Sequence, residues 1–166
     1  METNIYILVI EDESEVMDSI LRDIEIFEKK FPIETAASAE EAREVIQDLQ
    51  KNNNEIGLLL CDHLLPGEDG VDLLIDLNNQ ERYEGAKKVL ITGQAGLDDT
   101  VKAVNEANLD HYISKPWKED ELQRVVREVL TDYIIEQKKN ALPFMDILDS
   151  ERLAGNIRDS GSMSDT

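Results

Sequence analysis

Hydrophobic positions occur along the chain in five short runs, separated by longer segments in which apolar residues recur at helical spacing. We predict strands over residues 5–10, 33–36, 56–61, 87–91 and 110–114. The third run is apolar throughout, which is typical of a strand that is covered on both faces. Strands that alternate with helical segments indicate a parallel sheet with helices packed on both sides. The pattern therefore predicts an α/β fold.

Five helices are predicted between and after these runs. The first begins near Ser14, which we expect to be its N-cap, and repeats apolar residues every three or four positions. The second is expected to begin with a capping box formed by Ser38 and Glu41. Gly70 opens the third helix, and the last starts near Glu119. Five strand–helix units in about 130 residues make one doubly wound domain, with an expected strand order of 2-1-3-4-5.

Four of the predicted strands have a polar side chain at or just beyond their carboxyl ends. Glu11 and Asp12 follow the first strand, Asp62 follows the third, Thr92 the fourth and Lys115 the fifth. An open parallel sheet has its ligand site at this edge. We therefore expect three carboxylates, a hydroxyl and an ammonium to converge on one pocket.

Three carboxylates at one site repel one another unless a cation lies between them. Two unit charges about 4 Å apart cost roughly 4 kcal/mol at an effective dielectric near 20. Mg²⁺ suits such a site, because it binds through one or two carboxylates and leaves a position for a phosphate oxygen. Carboxylates can accept phosphoryl groups, and a metal, a hydroxyl and an ammonium can stabilise the charge that develops. We hypothesise that Asp62 is the nucleophile, supported by Mg²⁺ and Lys115.

Charge and composition limit the class of partner. The 166 residues carry a formal net charge of −20, which disfavours binding to nucleic-acid phosphates and to anionic membranes. The one cysteine, Cys61, excludes an internal disulfide and is expected to be a small core residue. The N-terminal sequence lacks a signal-peptide pattern, and no apolar run reaches the ~20 residues of a membrane span. We expect a cytoplasmic protein without a nucleic-acid or membrane partner.

The residues around the strand ends form motifs that resemble the receiver domain of bacterial two-component response regulators. These motifs are residues 8–13 (LVIEDE), 60–70 (LCDHLLPGEDG), 89–93 (VLITG) and 112–117 (YISKPW). The resemblance extends over residues 5–133, and it is specific because all four motifs occur in order at domain spacing. It implies a flavodoxin-like receiver fold and a regulator similar to the chemotaxis type.

The resemblance implies a role for each matching residue of the site. Asp62 would accept a phosphoryl group from a histidine kinase or a phosphotransfer protein. Mg²⁺ would be bound by Glu11, Asp12, Asp62 and the backbone carbonyl of Leu64. Lys115 would pair with the phosphoryl group. The protein would catalyse its own phosphorylation from a donor and would turn over no substrate, so we do not expect an enzyme in the usual sense.

Two further residues would transmit the signal. Thr92 would move toward the phosphoryl group, and Tyr112 would swing inward behind it. This coupled movement would reshape the surface formed by the fourth helix, the fifth strand and the fifth helix, which is a two-state element biased by a local change of charge. A downstream effector protein would read that surface, and a homodimer through the same helices is possible, since it is common in the family.

The sequence departs from the family pattern at positions that affect the site. Glu11 stands where the family often has aspartate, although both can bind a metal. Leu64 and Gln94, two residues beyond Asp62 and Thr92, occupy positions that line the route of the water that removes the phosphoryl group. An apolar Leu64 cannot orient this water by hydrogen bonding. We therefore predict slow loss of the phosphoryl group.

Two alternatives to a phosphorylated switch are open. A degenerate receiver would serve as a constitutive protein-interaction module, but the intact acceptor, lysine and threonine set argues against it. An aspartate-dependent phosphatase or another Mg²⁺ hydrolase would need a second acid close after the nucleophile, where this chain has Leu64. We expect neither histidine to bind a metal, and we expect His63 at the mouth of the pocket.

The last part of the chain differs from the rest. We predict a receiver domain over residues 1–135 and a C-terminal extension over residues 136–166, partly helical and then disordered. The extension is short for a DNA-binding output domain and has no basic stripe. Three alternatives remain: a frayed tail, a linker helix that leads toward an output domain, or an amphipathic segment over residues 144–157 that docks on the receiver or on a partner.

Overall fold

Five parallel strands form the centre of the structure, a computed structural model that describes residues 3–93 and 97–164. The strands are β1 (Ile5–Ile10), β2 (Ile33–Ala36), β3 (Glu55–Asp62), β4 (Lys87–Thr92) and β5 (His111–Ser114). Their order in the sheet is β2-β1-β3-β4-β5, which confirms the predicted topology. All of these strands have their carboxyl ends at one edge, where the predicted site residues follow them.

Helices cover both faces of the sheet. The described helices are α1 (Ser14–Ile24), α2 (Ala39–Lys51), α3 (Gly70–Asn78), α4 (Leu97–Glu106), α5 (Glu119–Glu136) and α6 (Ser150–Ser164), with short 3-10 helices at Glu25–Phe27 and Leu142–Phe144. Alternate residues of β3 belong to different cores: Leu58 and Leu60 pack with α1 and α5, whereas Leu59 and Cys61 pack with α2, α3 and α4. This explains why β3 is apolar along its length. Among the described helices, none has the length and apolarity needed to cross a membrane.

Helix capping agrees with the sequence at α2 and differs at α1. The Ser38 hydroxyl accepts a hydrogen bond of 3.1 Å from the Glu41 backbone N–H, as a capping box requires, and the Glu41 carboxylate accepts one of 3.0 Å from Ala37. The prediction that Ser14 caps α1 is wrong. Glu13 is the last residue with an extended backbone, and its side chain makes no capping hydrogen bond. Ser14 is therefore the first residue of the helix.

The C-terminal extension packs on the face formed by α1 and α5. Lys138 adopts a left-handed conformation, with φ of 54°, and ends the helical turn that follows α5. The Phe144 ring then stacks on Phe31, with 4.8 Å between ring centroids and 17° between planes. Leu148 and Leu153 are buried in the same core cluster. The segment thus contributes apolar side chains to the core of the sheet's α1–α5 side.

Polar contacts fix this extension along α5. The Arg127 guanidinium donates to the Ile147 carbonyl at 3.1 Å, and the Asp149 backbone N–H donates to the Thr131 hydroxyl at 2.9 Å. Arg152 of α6 pairs with Asp132 at 2.9 Å. The backbone is helical from Ser150 to Ser164. The disorder expected toward the end of the extension stays a prediction. The boundary at residue 135 stays a prediction.

Replacement of Leu148 by alanine tests whether the extension folds together with the receiver. Leu148 is 6% exposed within the core cluster, so we expect Leu148→Ala to lower the free energy of unfolding by about 2–4 kcal/mol. Leu142, which is 76% exposed in the same segment, is the matched control. Leu142→Ala should change the free energy of unfolding by less than about 0.5 kcal/mol. Urea unfolding measures both. Equal small effects would mean that the extension lies outside the cooperative core.

Candidate metal centre at the strand ends

Neighbouring strands bring the three predicted carboxylates together. Ile10 of β1 is level with Cys61 of β3, so Glu11 and Asp62 follow at the same height in adjacent strands. Glu11 is 2% exposed and Asp62 is 6% exposed, whereas Asp12 is open to solvent. One oxygen from each carboxylate lies within 4.8 Å of the others. Two buried acids and one exposed acid therefore form a cluster that is open on one side.

Lys115 provides a positive charge next to this cluster. Its Nζ lies 3.1 Å from Asp62 Oδ1 and 3.3 Å from Glu11 Oε1. The backbone N–H of Lys115 donates to the Thr92 carbonyl at 2.9 Å, which fixes the end of β5 against the end of β4. Burial alone would lower the pKa of Lys115, but the Asp62 and Glu11 carboxylates together raise it. Lys115 therefore stays protonated and positively charged beside these two carboxylates.

The charge of Glu11 is only partly compensated. Burial, assisted by the neighbouring Asp62 carboxylate, raises the pKa of Glu11 to about 7 against the opposing effect of Lys115. Its second oxygen, Oε2, is buried and has no hydrogen-bond partner among the described residues. A buried carboxylate oxygen without a partner costs free energy. An all-oxygen donor set with one uncompensated oxygen fits a hard divalent cation such as Mg²⁺.

The two residues expected to transmit the signal lie on β4 and β5. Thr92 is buried at the end of β4, directly beside Ser114 of β5. Tyr112 is 41% exposed, and its hydroxyl accepts a hydrogen bond of 3.0 Å from the Ser114 hydroxyl. The tyrosine ring therefore points toward solvent in this structure. Gln94, the residue predicted to influence phosphate loss from this side, lies outside the described residues.

The loop between β3 and α3 continues from Asp62 and closes tightly on it. The Gly70 backbone N–H donates to the His63 carbonyl at 2.9 Å, and the Asp69 carboxylate caps α3 by accepting from Val71 at 2.7 Å. A Cβ atom at Gly70 would lie 2.0 Å from the carbonyl oxygen of Asp62. Glycine is therefore required where α3 begins, because the helix approaches the backbone of the central acid. Leu64 lies in this loop and is 64% exposed.

His63 is buried, in contrast to its expected place at the pocket mouth. Side chains alternate along an extended segment, so the residue after Asp62 points to the side of α3 and α4. Its Nε2 lies 3.2 Å from Asp99 Oδ2 and 3.5 Å from Asp69 Oδ2. These contacts are close but not aligned as hydrogen bonds, and neither ring nitrogen has a hydrogen-bond partner among the described residues. No pattern of residues in the sequence indicated this contact with α4.

Of two cavities in the described part of the chain, one borders the site. One, of about 570 Å³, lies beside Lys115 in a groove between α1 and the turn after β5, and it is lined in part by Val16, Asp23 and Trp117. The indole N–H of Trp117 donates to Asp23 at 2.8 Å across this groove. The other, of about 750 Å³, lies at the opposite end of the sheet near Glu55 and has no part in the acidic cluster.

Comparison with known proteins places this geometry in a family. Residues 7–127 match the response regulator receiver domain family. The hydrogenase transcriptional regulatory protein HoxA of Cupriavidus necator is 32% identical over 124 residues, which are 75% of this chain and 24% of HoxA. The chemotaxis protein CheY of Halobacterium salinarum is 26% identical over 120 residues, which are 72% of this chain and 92% of that protein.

A solved structure agrees with these sequence matches. The CheY-like response regulator receiver domain protein of Methanospirillum hungatei superposes with a TM-score of 0.69 and 30% identity, over 81% of this chain and 99% of that one. The chain spans about a quarter of HoxA and 53% of the response regulator Rre1 of Synechocystis, so those relatives are much longer. The match over most of this chain, in sequence and in fold, shows that it belongs to the response regulator receiver domain family, whose members are signalling modules of two-component systems.

Proposed function

We propose that the chain is a phosphorylation-dependent switch in which Asp62 accepts a phosphoryl group from a histidine kinase or a phosphotransfer protein. The observation that carries the proposal is the position of Lys115 Nζ, 3.1 Å from Asp62 Oδ1, at a cluster of three carboxylates. A buried aspartate that faces an ammonium on one side and two further acids on another suits a reaction in which negative charge develops on the oxygens of a phosphoryl group during its transfer.

The residues divide the chemistry between them. An Asp62 carboxylate oxygen forms a bond to phosphorus while the bond from phosphorus to the donor's imidazole nitrogen breaks, and the electron pair stays with the imidazole. Lys115 offsets the negative charge on the oxygens. Glu11, Asp12, Asp62 and the backbone carbonyl of Leu64 would hold Mg²⁺, as the uncompensated Glu11 oxygen supports. When bound, Mg²⁺ supplies positive charge that neutralises the acids and polarises the phosphoryl group.

The signal would leave through the surface of α4, β5 and α5. The Thr92 hydroxyl would approach the phosphoryl group, and Tyr112 would turn inward from its present exposed position. Val101 and Val104 of α4 are half-exposed on the described surface, as is Tyr112. Apolar side chains on a module's surface suit a protein partner. We propose an effector protein as that partner, and the absence of nucleic-acid and membrane partners stays a prediction.

A constitutive interaction module that is never phosphorylated is the alternative. Incubation with acetyl phosphate and Mg²⁺, followed by intact mass spectrometry, distinguishes the two. The switch predicts the mass of one added phosphoryl group, which a chelator of Mg²⁺ prevents. An unchanged mass under these conditions would reject the switch and favour the constitutive module.

The affinity for Mg²⁺ should depend on pH through Glu11. A carboxyl group with a pKa of about 7 is largely protonated below that pH, and a proton competes with the metal for the same oxygens. We therefore expect the affinity to rise with pH up to about 7, by up to tenfold per unit, and then to level off. Isothermal titration calorimetry at several pH values measures this. Glu11→Gln should bind more weakly with a flatter profile, and equal wild-type affinities at about pH 6 and 8 would contradict the expectation.

Loss of the phosphoryl group should be slow because of Leu64. This side chain is 64% exposed in the loop after Asp62 and offers no hydrogen bond to an attacking water. We expect Leu64→Asn to accelerate the loss roughly tenfold by orienting that water. Leu142→Asn is the control: it changes another exposed leucine, in the extension, and should leave the rate unchanged. Mass spectrometry after removal of the donor measures the rate, and loss within seconds from the wild-type chain would contradict the prediction.

A further inference from the structure

Arg43 connects α2 with the loop that follows Asp62 and with α3. Its guanidinium makes a two-pronged contact with the Glu68 carboxylate, at 2.6 and 2.7 Å, and reaches Asp76 of α3 at 3.0 Å. Planar, two-pronged pairs of this kind are the most directional ion pairs available to side chains. The hydrogen bond to Glu68 raises the pKa of Arg43 against the opposing effect of burial, and the hydrogen bond to Asp76 raises it further. The site described above makes no use of Arg43.

Glu68 belongs to the loop that carries the Leu64 carbonyl. The two ends of this loop are fixed, at the start by Asp62 in β3 and at the finish by the hydrogen bond from Gly70 to His63. Between these ends lies Gly67, whose φ of 83° is a turn conformation. Of the side chains of residues 64–68, all of which the structure describes, Glu68 is the one that forms an ion pair. Leu65, next to Leu64, packs against the core cluster shared by α2 and α3, and the contact of Glu68 with Arg43 holds the later part of the loop against α2.

We infer that Arg43 is a positioning residue for the metal site, acting through Glu68 on the conformation of the loop and so on the direction of the Leu64 carbonyl. The inference rests on the proposed function, because that function assigns the carbonyl to Mg²⁺. Residues that orient metal ligands affect affinity without touching the ion. Arg43 contacts no member of the acidic cluster, so its effect on Mg²⁺ would be indirect.

Electrostatics and positioning predict opposite effects when Arg43 is removed. Arg43→Gln makes the formal net charge of −20 one unit more negative, and a more negative protein attracts Mg²⁺ more strongly. A loosened loop, in contrast, weakens binding. A decrease in affinity therefore identifies positioning. Arg43→Lys removes the two-pronged contact while the net charge stays constant, so it separates geometry from charge.

Isothermal titration calorimetry with Mg²⁺ on the full chain tests the inference. We expect Arg43→Gln to weaken Mg²⁺ binding roughly three- to tenfold, since loss of a residue that orients metal ligands typically lowers metal affinity about tenfold or more. Arg43→Lys should weaken binding less. Arg124 of α5, which pairs with Glu128 at 3.3 Å, is the matched control. Arg124→Gln removes the same charge far from the loop and should bind Mg²⁺ as tightly as the wild type or slightly more tightly.

A second measurement separates positioning from general stability. At saturating Mg²⁺, Arg43→Gln should accept a phosphoryl group from acetyl phosphate at the wild-type rate, with only its Mg²⁺ requirement raised. Wild-type Mg²⁺ affinity in both Arg43 variants, even with a lowered melting temperature, would overturn the inference and leave the proposed function intact. If the wild-type chain itself bound no Mg²⁺, the proposed function would fail, and the inference would fail with it.

Discussion

Asp62→Asn should take up no phosphoryl group from acetyl phosphate and Mg²⁺, under conditions in which the wild-type chain gains one. The amide has the shape of the carboxylate but lacks its charge and its nucleophilic oxygen. The side chain is 6% exposed, at 3.1 Å from Lys115, so its replacement removes the acceptor and one member of the acidic cluster together. We expect uptake to fall below detection by intact mass spectrometry.

The fold of this variant should remain intact. Removal of one of several acids that face each other relieves repulsion, and Asp62 contributes to raising the pKa of Glu11. We therefore expect Asp62→Asn to unfold at the same urea concentration as the wild type or a higher one. Asp48→Asn, on the exposed side of α2, removes the same charge and should retain uptake. Phosphoryl uptake by Asp62→Asn would identify a different acceptor.

Gly70→Ala should be strongly destabilising. The added Cβ would lie 2.0 Å from the carbonyl oxygen of Asp62 and 3.1 Å from the Cys61 sulfur. The closest of these atoms is backbone of the central strand, which cannot move aside without disturbing the sheet. We expect a loss of about 3 kcal/mol or more in the free energy of unfolding, as for severe overpacking.

The same substitution should weaken Mg²⁺ binding, because the displaced atoms belong to Asp62. Gly155→Ala is the matched control: Gly155 lies in α6, a Cβ there meets no atom within 4 Å, and the change should stabilise the protein by up to about 1 kcal/mol. Urea unfolding and Mg²⁺ titration measure both effects. A Gly70→Ala protein with wild-type stability and affinity would show that α3 can shift away from β3 at little cost.

The parts of the fold that could be predicted depend on neighbours in sequence. Strand and helix positions follow from the spacing of apolar residues, and the cap formed by Ser38 with Glu41 follows from residues three apart. The cluster of Glu11 and Asp62 was also predictable, because parallel strands share an edge and the polar residues follow the strands directly. In each case a local pattern and one rule of sheet geometry are sufficient.

The parts that could not be predicted depend on contacts across the fold. Arg43 and Glu68 are 25 residues apart, and many other acids in this acidic chain were equally eligible partners for Arg43. The contact of His63 with Asp99 depends on how α4 sits against the loop, which periodicity does not determine. The stacking of Phe144 on Phe31 is of the same kind, since an apolar cluster indicates burial without indicating the surface that it covers.

The groove beside Lys115 contains a natural fluorescent probe of the site. Trp117 is the single tryptophan in the chain, and it lies two residues after Lys115, the lysine that faces Asp62. Its indole N–H donates a hydrogen bond to Asp23. Fluorescence excited at the red edge of the absorption band therefore comes from Trp117 alone, beside the acceptor site. Metal binding and phosphorylation would change the local electric field there, so we expect the intensity or wavelength of this emission to report both events in real time without an attached dye.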